Sequence, residues 1–281
     1  MGFNKIASIL ILSAACGCTD GIPLHNLQQN SPGPALVCDP NGAPVTPQNG
    51  LVADLKYLTG QPPYDSVMDY QANGIPVPAI LYFNQLFVPT RLFSAGFETT
   101  QGALLQNNGG EVLLEWFTLH YESELRLNAG DVAGDYQFAL LSDDGAILRV
   151  DRGEGFQEVV NNDLTHPTRL GCPSIPVNMQ PGESYPMDLD YFQGPRFHIS
   201  LILLWRLAPN DAQYGNAADP ACGVTGNEVW FDPAQSVGGS YQPKAAYTNL
   251  LARGWSPVPA ANFYLPQGQT NPCAGQARAE Q

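Results

Sequence analysis

The sequence predicts an all-β protein, an antiparallel β-sandwich with loop-rich N- and C-terminal extensions. Three observations lead there. Segments alternating with a period of two recur along the chain, as strands with one buried face require. No long amphipathic helical pattern interrupts them. The 28 Gly and 25 Pro punctuate the chain as short strands and tight turns demand. A hydrophobic content of 44% is enough for a core, with charged residues at only 14%.

Taken in order, residues 19 to about 48 are rich in Pro, Gly, Asn and Gln and read as a tether. They open an extension over 19–78, in which Gly50 to Asp69 reads as a short helix or irregular cover. Ala79–Phe83 and Leu86–Val88 have the composition of short strands. Val112 to His120 reads as one long apolar strand segment, and Glu124–Leu127 alternates. Tyr136, Phe138 and Leu140 share a face, and Ala146–Asp151 forms the return strand. In Met179–Glu183, Pro181 and Gly182 occupy the second and third positions of a turn, where their backbone preferences fit. Tyr185, Met187, Leu189 and Tyr191 then point one way, with Asp188 and Asp190 pointing the other. Phe197, Ile199, Leu201, Leu203 and Trp205 form a further buried face. From about 207 the chain is again rich in Pro and Gly and reads as a covering packed across the sandwich, not a second domain. The sandwich with its C-terminal decoration spans 79–268, and 269–281 is a tail.

The net charge of −14 and pI near 4.4 offer no basic footprint, which excludes a nucleic-acid binder. Excess acid suits a protein that holds divalent cations, and equally serves solubility. Residues 1–18 read as an export signal: Lys5 precedes an apolar run, Ile6 to Ala15, too short to span a bilayer. Ser13-Ala14-Ala15-Cys16-Gly17-Cys18 resembles the cleavage box of bacterial lipoproteins. That resemblance implies lipidation at Cys18 (or Cys16), a membrane anchor, and location at the bacterial outer membrane or cell surface. With Cys18 as anchor, Cys38, Cys172, Cys222 and Cys273 remain, an even set suited to two disulfides in an exported protein. Three pairings are open. Cys38–Cys273 with Cys172–Cys222 is preferred, because the termini of one domain are often close.

The chemistry concentrates in Ser142-Asp143-Asp144-Gly145. A strand, an acidic corner and a return strand set two carboxylates side by side at a loop tip. Adjacent like charges call for a cation or strong hydrogen-bond donors, and calcium is the natural oxygen-seeking partner. As a turn alone, Asp and Gly would be equally at home. Asn161, Asn162, Asp163 and His166 fall where a loop approaches this corner, as ligand contacts or as a hydrogen-bonded turn.

The succession Gly134–Phe138, Ser142–Gly145, Leu148–Asp151, Val159–Asp163, His166, Pro181-Gly182, Tyr191–Gly194 and Leu201–Trp205 resembles a PA14 domain over roughly 80–206. The resemblance implies a β-sandwich of PA14 type. In sugar-binding members the paired aspartates, joined by a cis peptide, hold calcium that coordinates sugar hydroxyls. Carried over, the pair is Asp143 and Asp144, and Gln193 stands where flocculin-type members supply an asparagine. Phe192 is a candidate for stacking on a sugar, whereas Trp205 reads as core. No nucleophile elbow, His-Glu-x-x-His motif or phosphate loop is present, so the expectation is a non-enzyme. The first reading is a surface lipoprotein that binds a glycan or surface polysaccharide in a calcium-dependent manner, in adhesion or envelope recognition. The alternative is a structural or assembly module with a protein partner, and a cell-wall hydrolase comes third.

Overall fold

The computed structural model describes residues 33–39, 45–235 and 241–274. Cys16 and Cys18, and with them the export signal and the lipid anchor, lie outside the described residues. The chain divides into two units, 1–33 and 34–281, and the second carries the fold.

Fourteen strands are found among the described residues: β1 Ala35–Cys38, β2 Leu51–Tyr57, β3 Ile75–Phe83, β4 Phe87–Leu92, β5 Phe117–Leu125, β6 Gly134–Asp143, β7 Ala146–Asp151, β8 Phe156–Asn162, β9 Arg169–Gly171, β10 Val177–Met179, β11 Tyr185–Gln193, β12 His198–Leu207, β13 Ser256–Pro257 and β14 Phe263–Tyr264. Two helices accompany them, α1 Val67–Asn73 and α2 Ala245–Ala252. The larger sheet runs β1-β3-β2-β5-β11-β7-β8, with β14 against β5. The smaller runs β10-β6-β12-β13, with β4 on β12 and β9 on β6. Every ladder is antiparallel except β1 with β3, which is parallel.

The expected sandwich is therefore present, and the alternation explains it. Leu119, Tyr121 and Leu125 of β5 and Met187, Leu189 and Tyr191 of β11 face Phe138 and Leu140 of β6 and Leu201, Leu203 and Trp205 of β12 in one core. Burying each such side chain contributes about 1.5–3 kcal/mol. The intervening residues of the smaller sheet are apolar too. Ala139, Leu141, Ile202 and Leu204 meet Trp230, Phe231, Tyr247, Leu250 and Trp255 from the C-terminal covering. A strand buried on both faces loses its polar alternation, which is why Phe138–Leu141 of β6 and Leu201–Trp205 of β12 are unbroken apolar runs.

Five expectations need correction. The sheet begins at Ala35, inside the stretch read as a tether, and β2 lies between β3 and β5 where a helix or irregular cover was expected. Val112–Trp116 is not strand; β5 starts at Phe117, after Trp116 takes a left-handed φ of 56°. Phe197 precedes β12 and is 66% exposed, unlike Ile199, Leu201, Leu203 and Trp205. The tail is tied down at its start, because the Asn271 amide bonds to the Asn49 carbonyl and Cys273 is disulfide-bonded. Both preferred disulfides are formed, Cys38–Cys273 and Cys172–Cys222. The expected turn at Pro181-Gly182 is also found, closed by Glu183 N–H on the Gln180 carbonyl at 3.3 Å, with Gly182 at φ 85°.

Candidate functional site: a buried carboxylate corner

Three connections cross between the sheets at one end of the sandwich. β6 passes to β7 through Asp144-Gly145, β8 to β9 through residues 163–168, and β11 to β12 through 194–197. The register brings them together: Asp143 pairs with Ser200, Ala146 with both Tyr191 and Asn162, and Ser142 with Arg169. The expected loop tip is corrected accordingly. β7 does not return beside β6 but joins the opposite sheet, so Asp143 and Asp144 are only 5% and 3% exposed. The peptide between them is cis.

Asp144 is held from two connections at once. Its Oδ1 accepts from the His166 backbone N–H at 3.0 Å, and its Oδ2 from the Gly194 backbone N–H at 2.7 Å. Glycine at 194 is a packing requirement, since a Cβ there would sit 2.9 Å from Asp144 Oδ2. Thr168, whose N–H donates to Asn227 Oδ1 at 3.0 Å and whose hydroxyl lies 2.9 Å from that of Thr90, is close enough to offset part of the rise in the Asp143 carboxyl. Asp143 Oδ2 has no partner among the described residues, a buried acceptor left open. Both carboxyls are pushed up, Asp143 to about 8 by burial and then by the charge of Asp144, and Asp144 to about 6 by burial. The corner disfavours two bare negative charges.

The other expected site residues are mostly structural. Asn162 is buried; its amide nitrogen donates to Ser142 Oγ and the Arg169 carbonyl, and its oxygen accepts from Arg169 Nε. Asn161 Oδ1 accepts from the Asp163 N–H, closing a turn. Asp163 Oδ1 accepts from Leu164 N–H and from Val67 N–H at the start of α1. The His166 ring lies between the Pro167 and Asn162 carbonyls, so the residue serves the corner through its backbone. Phe192 does not face a ligand: it is fully buried, 4.3 Å from the Tyr70 ring. The Gln193 side chain is also buried. Its Oε1 lies 2.6 Å from the Tyr191 hydroxyl, and its nitrogen donates to the His198 carbonyl. Gln193 thus braces Tyr191, whose hydroxyl also lies 2.6 Å from the Asp143 carbonyl.

The pair still fits a hard cation. Its donors are all oxygen, and the unpartnered Asp143 Oδ2 is the kind of atom that a cation would satisfy. Among the described residues no group of three or more His, Cys, Asp or Glu forms a metal-holding cluster. A calcium ion takes about six to eight oxygens, so much of any shell here would come from backbone, water or ligand.

Two residues beside the pair were not singled out from the sequence: Gly194, whose N–H holds Asp144, and Tyr70, whose buried hydroxyl has no partner among the described residues and feels the Asp144 charge. A Gly-Pro pair directly after a strand was the available signal for the first.

No family model matches the sequence, and no curated protein matches it. Among solved structures the chain is similar to the PA14 domain of the antifreeze protein MpAFP, at 13% identity and TM-score 0.42, covering 62% of this chain and 89% of that one. It is also similar to the Epithelial Adhesin 6 A domain from Candida glabrata, solved in complex with Galb1-3GlcNAc, at 16% identity and TM-score 0.38 over 65% and 89% of the two chains. A PA14 sugar-binding domain from an RTX adhesin follows, at 15% identity and TM-score 0.36 over 60% and 94%.

Proposed function

We propose that this chain is an exported, non-catalytic carbohydrate-binding module of PA14 type, with calcium held by Asp143 and Asp144. The observation that carries the reading is the buried pair itself, with Asp143 Oδ2 lacking a partner among the described residues. Asp144 is fixed by the His166 and Gly194 N–H groups, and Asp143 by its place in β6, paired with Ser200. Residues held so firmly are pre-organised for a ligand. Calcium bound there supplies open coordination positions to neighbouring sugar hydroxyls. Two disulfides suit an oxidising, extracellular compartment. A lipid anchor at Cys18 or Cys16 and a role in adhesion or envelope recognition complete the proposal.

The test is retention of the chain on immobilised glycans with calcium and with chelator. Asp144→Asn is expected to abolish calcium-dependent retention while leaving the fold largely intact; normal sugar binding by that variant would overturn the metal-centred reading.

The assembly-module reading has one observation in its favour. Phe197 and Leu92, 66% and 46% exposed, lie at adjoining positions, since Leu92 pairs with His198. Exposed apolar side chains that adjoin can mark a protein contact.

A further inference from the structure

Beside the carboxylate corner lies a cavity of about 460 Å³, between the loops at 58–60, 107–116 and 194–196. Its volume falls in the range of about 300–1,000 Å³ in which small ligands are held. Its lining includes the buried Leu58 and Leu113 and the ring-bearing Trp116. Trp116 packs against the cluster of Leu58, Tyr70 and Phe192 and is partly buried, with some of its surface left exposed. Its backbone is fixed on both sides: Leu58 N–H donates to its carbonyl at 2.8 Å, and its own N–H reaches the Gly194 carbonyl at 3.4 Å. Gly194 is the residue whose N–H holds Asp144, so the cavity wall and the carboxylate corner share one residue.

The rim is polar. Arg196 Nε is 3.2 Å from Glu115, which leaves the guanidinium Nη nitrogens as donors, and Glu111 adds a carboxylate acceptor. An aromatic face with a few hydrogen-bonding groups suits a ligand that is apolar on one face and hydroxylated at its edges. A pyranose ring is such a ligand. Two carboxylates against one guanidinium leave the rim net negative, which disfavours uronates and sialic acids and admits neutral or amino sugars.

We propose that this cavity is a second saccharide subsite, in which Trp116 is the stacking platform and Glu111 and Arg196 bond the hydroxyls of a neutral or amino sugar. The proposal rests on the glycan reading of the corner: one ring at the carboxylates, the next on Trp116.

The structure supplies its own reporter. Of four tryptophans, Trp205, Trp230 and Trp255 are 6%, 0% and 2% exposed, so acrylamide quenching reads Trp116. The full chain is titrated in calcium with neutral, amino-bearing and acidic di- and trisaccharides and with their component monosaccharides. Expected is protection of Trp116 by neutral or amino oligosaccharides, little by monosaccharides and none by acidic ones. The signal disappears in Trp116→Phe. Trp116→Ala is expected to reduce the preference for oligosaccharide over monosaccharide about tenfold, a loss of about 1.4 kcal/mol. Oligosaccharide binding with unaltered quenching and an unaltered preference overturns the subsite alone. Failure of every saccharide to bind the wild-type chain overturns both readings. Binding and protection that persist in chelator sink the calcium reading and leave the subsite standing.

Discussion

Replacing Asp143 by Asn is expected to stabilise the calcium-free protein. Burial, then the charge of Asp144, raises the Asp143 carboxyl from 3.8 to about 8. Between those values the folded chain holds a proton that the unfolded chain has released. Stability therefore falls as pH rises through that window and levels off above about 8. The part of that rise in play by pH 7.5 corresponds to about 5 kcal/mol at about 1.4 kcal/mol per tenfold, an upper figure because a real corner relaxes. Asparagine resembles the protonated acid and carries no such penalty, so a gain of at least about 2 kcal/mol is expected. For a chain of this size that is roughly 4–8 °C in melting temperature. The assay is thermal unfolding of wild type and Asp143→Asn, in chelator and in saturating calcium, at pH 5 and 7.5. In chelator the variant should melt higher at pH 7.5 and by a smaller margin at pH 5. In calcium the margin at pH 7.5 should shrink by about 2.7 kcal/mol, because a ligand present at 100 times its dissociation constant stabilises the wild type alone by that amount. A variant that melts no higher than wild type in chelator at pH 7.5, or that gains equally from calcium, would refute the reasoning.

Three further outcomes follow from the same geometry. Gly194→Ala places a Cβ 2.9 Å from Asp144 Oδ2; overpacking of this kind costs about 1–3 kcal/mol, and the calcium-induced rise in melting temperature should shrink with it. Replacing both Cys172 and Cys222 by Ser opens a loop with a sequence separation of 50; the chain-entropy relation gives a loss of about 4 kcal/mol, to be read by denaturant unfolding. His120 Nδ1 lies 2.7 Å from Asp190, which raises the imidazole above its usual value despite opposing burial. Asp188 and Glu122 add to the rise, and Asp54 stands opposite in register on β2. Its stabilisation is full below about 6.5 and is lost as pH rises through the folded value, so the stability difference between wild type and His120→Gln should narrow from pH 5.5 to 8.

Strands β6, β11 and β12 were legible because their buried faces repeat without interruption. β2 was not, since Ala53, Asp54 and Lys56 are poor strand formers and its place is set by pairing with β3 and β5 on either side. β1 has four residues and a parallel partner more than forty positions away, a contact that no local pattern announces. Phe197 fits the period of β12 but belongs to the crossing that precedes it, where the alternation no longer reports a sheet face. At the site, the adjacent aspartates were visible as residue types, and their burial was not. The same Asp-Asp-Gly serves a hairpin or a crossing to the opposite sheet, and only the long-range ladders decide which. The donors that hold Asp144 are backbone N–H groups, which residue identity does not advertise. Phe192 and Gln193 directly precede Gly194 in sequence, yet the fold turns them to packing against Tyr70 and bracing Tyr191.

Calorimetric titration of calcium into the full chain at pH 7, repeated in buffers of different ionisation enthalpy, tests the central claim most directly. One ion should bind per chain with release of protons, since a carboxyl raised to about 8 must ionise to take a cation, and Asp144→Asn should abolish the heat. Absence of saturable binding at millimolar calcium, or the same binding in the variant, would contradict the account.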